Sequence, residues 1–233
     1  MIGKFKNLCA ELGPGNAVLW AANRLFETLG APCRIIRYYF VAQPVAEEAL
    51  LPPRRGRSID VRRLSPDDSA LRDLPLTDDV LRYRFDQDAV CFGAFQNGAI
   101  VGCLWLCLDS YDEDEVRCTY ALLPERQAAW DFDVYVVPEA RGGFAFLRLW
   151  DEAYAFLREL GVHWSLSRIS AFNPGSLGAH GNLGARRISS ALFVRIGRLQ
   201  LLLSSLSPYL YLSVSKDRRP RLALRVNSVD PAE

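Results

Sequence analysis

The stretch Val136-Val137-Pro138-Glu139-Ala140-Arg141-Gly142-Gly143-Phe144-Ala145-Phe146 joins a β-branched and aromatic run over 130–137 to an amphipathic run over 144–160. A strand, a glycine-bearing loop and a helix in that order make an anion site. The free N–H groups of the loop and of the helix start point outward, and the helix dipole favours negative charge there. A pyrophosphate fits such a site, and Arg141 reads from the residues alone as a loop charge. In the strand, Asp131 and Asp133 alternate with Trp130 and Phe132. That spacing puts both carboxylates on one face with Tyr135 and makes them candidate proton acceptors. The weaker candidates are Glu115 and Asp112 in the preceding loop. Of the 2 histidines, His180 reads from the residues alone as a surface or hydrogen-bonded core residue of a helix, of a type whose unperturbed pKa lies near neutrality. His163, beside Trp164, reads as structural.

These side chains need elements to hold them. The spacing predicts a helix over 144–160, with Phe146, Trp150, Ala153, Leu157 and Leu160 on one side. Arg148, Asp151, Glu152 and Glu159 lie away from it, and Gly161 ends it. A strand follows over 162–171. Asn173-Pro174 then opens a helix, Asn as N-cap and Pro in its first turn, which ends near Gly184. Another strand covers 188–196. Upstream, Ile59-Asp60-Val61-Arg62-Arg63-Leu64 alternates like a strand, and Ser65 can cap a helix whose first residue is Pro66. Asn97-Gly98 is a type I′ turn pair between strands over 89–96 and 99–108. Residues 109–115 are acidic and read as an exposed loop, and 116–123 as a strand. Residues 1–57 read as an appendage. Two helical stretches carry Leu8, Leu12, Leu19, Leu25 and Phe26, broken at Gly13-Pro14-Gly15 and Gly30-Ala31-Pro32. A β-branched run over 35–41 follows, and then a linker with Pro44, Pro52 and Pro53.

The loop stretch resembles the central signature of the GNAT superfamily, a strand ending in V-x-P, two residues, then R-G-x-G-x-G/A at a helix start. Val136, Pro138, Arg141 and Gly142 match. Phe144 and Phe146 stand where members carry small residues, and Gly143 and Ala145 supply the close approach in a shifted register. The second signature is N-x-x-[A/S]-x-x-x-Y-x-K-x-G-F. It is similar to Asn173-Pro174-Gly175-Ser176-Leu177-Gly178-Ala179-His180-Gly181-Asn182-Leu183-Gly184-Ala185, where His180 replaces the tyrosine and Ala185 the phenylalanine. The resemblance covers roughly 58–196. It implies an α/β (α+β) chain with the GNAT acyltransferase fold: a mixed central sheet flanked by helices over 58–233, preceded by the partly helical extension and linker over 1–57.

The resemblance also implies a function, N-acyl transfer from acyl-CoA to a primary amine that attacks the thioester directly. Acyl-CoA, acetyl or longer, would lie between two splayed parallel strands, 130–137 and 162–171. The backbone of Tyr135, Val136 and Val137 would hold the pantetheine arm, and Arg141, Gly142, Gly143, Phe144 and Ala145 the pyrophosphate. Asn173 and Ser176 would contact the pantetheine or the phosphate side. His180 would give a proton to the leaving thiolate, and Asp133 or Asp131 would take one from the amine. From the residues alone, Asn173 reads equally well as a plain N-cap, and Phe144 and Phe146 as helix core or as walls of an apolar tunnel.

Composition narrows the alternatives. The formal net charge is +1, and no basic stripe interleaves with aromatics, so nucleic acid is not an expected partner. The 6 cysteines form no CxxC pair and have no histidine cluster beside them, which predicts reduced thiols, a reducing compartment and no metal. No signal peptide or uncharged run of bilayer length is legible, which predicts a cytoplasmic chain. Greasy stretches over 18–26, 35–41 and 199–212 leave core, a homodimer face and peripheral contact with the inner membrane open. Two acceptor classes therefore compete, a small water-soluble amine and an amino lipid acylated as by GNAT-like bacterial ceramide synthases. A non-catalytic GNAT-like binding module is the rival from another class.

Overall fold

The computed structural model describes residues 2–215 and 217–226. In chain order the elements are α1 (Ile2–Leu12), α2 (Pro14–Thr28), β1 (Cys33–Pro44), β2 (Ile59–Leu64), α3 (Asp78–Phe85), β3 (Val90–Gln96), β4 (Ala99–Cys107), β5 (Ser110–Asp112) and β6 (Thr119–Leu123). There follow β7 (Ala128–Val136), α4 (Ala145–Glu159), β8 (Trp164–Ser170), α5 (Pro174–Gly181), β9 (Arg186–Ile196), β10 (Leu199–Ser204), β11 (Leu210–Ser213) and β12 (Arg221–Arg225). They make a mixed α+β chain divided into two compact units, one from the described parts of 1–43, 112–121 and 166–233, the other from 44–111 and 122–165.

In the first unit the strand order is β11-β10-β9-β1-β8. The β-branched and aromatic run of β1 pairs antiparallel with β9 from Cys33↔Ile196 to Ala42↔Arg186. The first strand of the chain is thus held by one more than a hundred residues downstream. Gly197, at φ 55°, turns β9 into β10. The apolar core collects Tyr38, Phe40, Tyr120, Phe193, Leu202, Leu222 and Leu224, all fully buried or nearly so. Tyr38 meets Phe193 edge-on at 6.0 Å, and Phe40 meets Tyr120 at 5.3 Å. The greasy stretch over 199–212 becomes β10 and β11, of which Leu210 and Leu212 stay exposed.

The acidic stretch over 109–115 is not the exposed loop its composition predicts. The Glu113 side chain is wholly buried, because Arg168 of β8 grips it with two nitrogens, Nε to Oε2 at 2.5 Å and Nη2 to Oε1 at 2.6 Å. Burial opposes the Arg168 charge, but Glu113 and Tyr38 hold its pKa well above the ordinary arginine value. The guanidinium carbon also lies 4.7 Å from the Tyr38 ring centre, and the Tyr38 hydroxyl donates to Glu115. Burial is the main reason that the phenols of Tyr38 and Tyr120 are pushed above the usual 10.0, with Arg168 working against it and Glu113 with it. The fold favours the neutral phenols, so their contribution is fully present below pH 10.0 and is lost as pH rises beyond it. Stability should therefore fall above that pH by up to about 1.4 kcal/mol per pH unit for each phenol. Urea unfolding at stepped alkaline pH reads this slope. In Tyr38→Phe it should drop by one proton's worth, and equal slopes would refute the assignment.

In the second unit the order is β7-β4-β3-β2, with α4 packed across all four. The Asn97-Gly98 turn has φ values of 53° and 82°, the left-handed pair that a type I′ hairpin needs. Helix α4 forms where the spacing predicts, but its buried stripe is rotated. Ala145, Leu149, Trp150, Ala153, Tyr154 and Leu157 face inward, while Leu160 is half exposed. The rotation turns Asp151 inward, where its carboxylate accepts the Leu50 N–H at 2.5 Å. The proline-rich residues 44–57 are thus strapped along α4, and the Arg158 guanidinium also donates to the Ala46 carbonyl. Ser65 does not cap a helix. Its carbonyl closes a turn with Asp68 N, and the Asp68 side chain caps a short 3-10 turn, Ser69–Asp73, by accepting from Ala70 N. Thr77 caps α3, a helix that apolar periodicity did not reveal because its first turn is Asp78-Asp79. All six cysteines are free thiols.

Candidate active site

The second unit carries an irregularity in β7. Val136, Tyr135 and Val134 face Gly102, Cys103 and Leu104 of β4, but the next aligned pairs are Asp131↔Leu106 and Trp130↔Cys107. Two residues, Phe132 and Asp133, therefore stand opposite Trp105 alone, which is a β-bulge. Asp133 takes a φ of 136°, a region that residues with a Cβ rarely enter. The bulge corrects the expected alternation. Directly opposed residues share a face, so Asp131 goes with Leu106 and Val134, while Tyr135 goes with Cys103 on the other face. Asp131 is buried and accepts from Ser165 Oγ at 2.7 Å. Asp133 Oδ2 accepts from Arg84 Nη1 at 2.7 Å.

Beyond the bulge, β7 is pressed hard against β4. Glycine is required at 102, because a Cβ there would come 2.6 Å from the Tyr135 carbonyl oxygen. The Val137 N–H donates to the Val101 carbonyl at 2.9 Å. Pro138–Ala140 then forms a 3-10 turn. Gly142, at φ 79°, reverses the chain into α4, a conformation that suits glycine. Arg141 folds back, its Nε donating to the Val136 carbonyl at 3.0 Å. Ala145 is fully buried under the helix start, whereas Phe144 at the N-cap is 37% exposed. No described side chain caps α4. A tight glycine turn, a tethered arginine and a helix start with no described side-chain cap thus follow one another between β7 and α4.

The remaining expected residues lie in the first unit. The Asn173 side chain caps α5 by accepting from Ser176 N at 3.0 Å, so the structure gives both residues the cap geometry. His180 is buried, with Nδ1 3.0 Å from Oε1 of the fully buried Gln43. Sequence reasoning missed Arg84, Ser165, Gln43 and Gly102. Only Arg84 had a readable signal, the Thr77 cap and acidic first turn of its helix. The others acquire meaning through partners distant in the chain.

The class of fold defined by these elements is shared with known structures. A functionally unknown conserved protein from Staphylococcus epidermidis is 10% identical with a TM-score of 0.50, over 73% of this chain and 65% of its own. A GNAT protein and an acetyltransferase are also among the similar solved structures. A tandem GNAT protein from the clavulanic acid biosynthesis pathway gives 15% identity and a TM-score of 0.48 over 79% of this chain and 58% of that one. An acetyltransferase from Trypanosoma brucei gives 20% and 0.41 over 56% and 94%. At 10% identity the likeness to the Staphylococcus epidermidis protein is one of fold. The chain spans 65% of the length of the Staphylococcus epidermidis protein and 58% of that of the tandem GNAT protein. No protein-family model matches the sequence, and neither does any curated protein sequence.

Proposed function

We propose that the chain is an acyl-CoA-dependent N-acyltransferase that transfers an acyl group to a primary amine. The observation that carries this reading is the unit of β7, glycine turn and α4. A bulged strand leads through Val137-Pro138 and Arg141-Gly142 to a helix start with no side-chain cap. In this reading it is an anion cradle at the end of a strand whose bulge would present backbone donors to a thioester. Arg141 spends one of its five N–H donors on Val136 and can offer others to a phosphate. In this reading Gly142, Gly143, Phe144 and Ala145 hold the pyrophosphate, and the backbone of Tyr135, Val136 and Val137 takes the pantetheine arm. The motif resemblance assigns Asn173 and Ser176 to contact with the pantetheine or the phosphate side.

The chemistry asks for three things: removal of a proton from the attacking amine, fixed donors for the oxyanion, and a proton for the leaving thiolate. Asp133 holds Arg84 through Oδ2 and keeps Oδ1 for the amine's proton, directly or through a water. Asp131, turned to the other face of β7, is the weaker choice of base. His180 is the donor to the thiolate, and Gln43 fixes its ring. The acceptor is a small amine. An amino lipid is the second reading, favoured by the exposed Tyr209, Leu210, Leu212 and Val214.

The direct test is thermal stabilisation by CoA, acetyl-CoA and palmitoyl-CoA. Binding at one hundred times Kd should add about 2.7 kcal/mol. Arg141→Ala should weaken acetyl-CoA binding about tenfold and make what remains less salt-sensitive. An unaltered Kd would remove the phosphate role from this loop, and no stabilisation by any thioester would favour a non-catalytic module. A preference for palmitoyl-CoA would select the lipid reading.

A further inference from the structure

We infer that Arg84 is the positioning residue of the β7 bulge, a clamp that engages all three side chains of the irregularity at once. The bulge consists of Phe132 and Asp133 on one strand and Trp105 on the other. The Arg84 guanidinium carbon lies 5.1 Å from the Trp105 ring centre and 5.3 Å from that of Phe132. Its Nη1 donates to Asp133 Oδ2 at 2.7 Å. Phe132 also stacks on Tyr111 at 4.1 Å. Arg84 is only 6% exposed. A buried guanidinium is a costly way to fill space, and apolar residues stabilise a core as well or better. What an arginine adds is a flat cation that stacks on two rings while binding a carboxylate, which lysine cannot do.

Something has to hold this bulge. Asp133 sits at φ 136° without being glycine, and such a conformation persists only where its surroundings over-determine it. If β7 lost the inserted residue, the pairing beyond it would slip by one position. A one-residue slip carries every side chain to the opposite face and exchanges the backbone groups that point into the ladder with those that point out. Arg84 thereby decides which backbone groups of Tyr135 and Val136 are presented. The consequence for thioester binding rests on the acyl-CoA reading above; the clamp itself does not.

The test uses the full chain and two readouts, amide hydrogen exchange over residues 131–136 without ligand, and acetyl-CoA affinity. Arg84→Met keeps the length of the side chain and loses the clamp. It should speed exchange there by on the order of tenfold and raise the acetyl-CoA Kd by a similar factor. Arg84→Lys should be impaired as well. Asp133→Gly removes the strain, since glycine adopts this φ freely, so Arg84→Met added to Asp133→Gly should change neither readout. Rescue of that kind is not expected of a residue that merely packs. Wild-type exchange in Arg84→Met, or a defect that Asp133→Gly fails to rescue, would overturn the clamp. If Arg84→Met does not fold, a folded double variant with the exchange of Asp133→Gly supports the proposal, and an unfolded one overturns it. A wild-type chain that ignores acetyl-CoA would sink the acyl-CoA reading, while the exchange data would still decide the clamp.

Discussion

Arg168→Met is expected to cost about 3–5 kcal/mol, the penalty for breaking a buried ion pair from one side. The partner left behind is Glu113, whose side chain has no exposed surface. Its Oε1 would keep only the Glu115 N–H of its present donors, and Asp114 and Glu115, now 3.9 Å from Arg168, would become unbalanced neighbours. For a chain of this size each kcal/mol lowers the melting temperature by roughly 2–4 °C, so a fall on the order of 10 °C should appear in thermal unfolding. The double variant Glu113→Gln with Arg168→Met should recover much of the loss, because it removes the charge that has no partner. A single variant that loses under about 1 kcal/mol would place this pair among solvated ones.

Gly102→Ala should be the most damaging small change in the second unit. The added Cβ would need to occupy space 2.6 Å from the Tyr135 carbonyl oxygen and 3.3 Å from Val136 Cγ2. The nearest atom is backbone, so relief requires β4 and β7 to part. Overpacking of this kind costs about 1–3 kcal/mol. Under the acyl-CoA reading the loss of acetyl-CoA affinity should exceed what that destabilisation explains, since the displaced backbone is the ledge for the thioester arm. Gly178→Ala is the control. It lies inside α5 with no atom within 4 Å of a Cβ, and alanine there should add roughly 0.5–1 kcal/mol. Wild-type melting and binding in Gly102→Ala would contradict the tight approach of the two strands.

The readable parts of this chain are those with short-range causes. The β3 to β4 hairpin, the strand, glycine turn and helix around Arg141, and the Asn173 cap all lie within a few positions of predicted places. Each follows from a turn residue, a cap or a period that neighbouring residues supply. Two expectations failed for the opposite reason. The acidic residues before β6 looked solvated because the cation that buries Glu113 lies 55 positions away. The face assigned to Asp131 presumed an unbroken period of two, and nothing in Trp130-Phe132 announces an inserted residue.

By itself, then, the sequence determined the β3 to β4 hairpin, the run from β7 to β9, the glycine turn that leads into α4 and the signature residues around it. Backbone preference and hydrophobic period act over neighbours, and neighbours are what a sequence displays. Tertiary structure alone decided the bulge at Phe132 and Asp133, the Arg84 contacts on it, the pairing of β1 with β9 and the burial of Glu113. Those depend on charges and strand edges that meet only after the chain has closed long loops, where the energy of a contact is set by its partner rather than by its place in the chain.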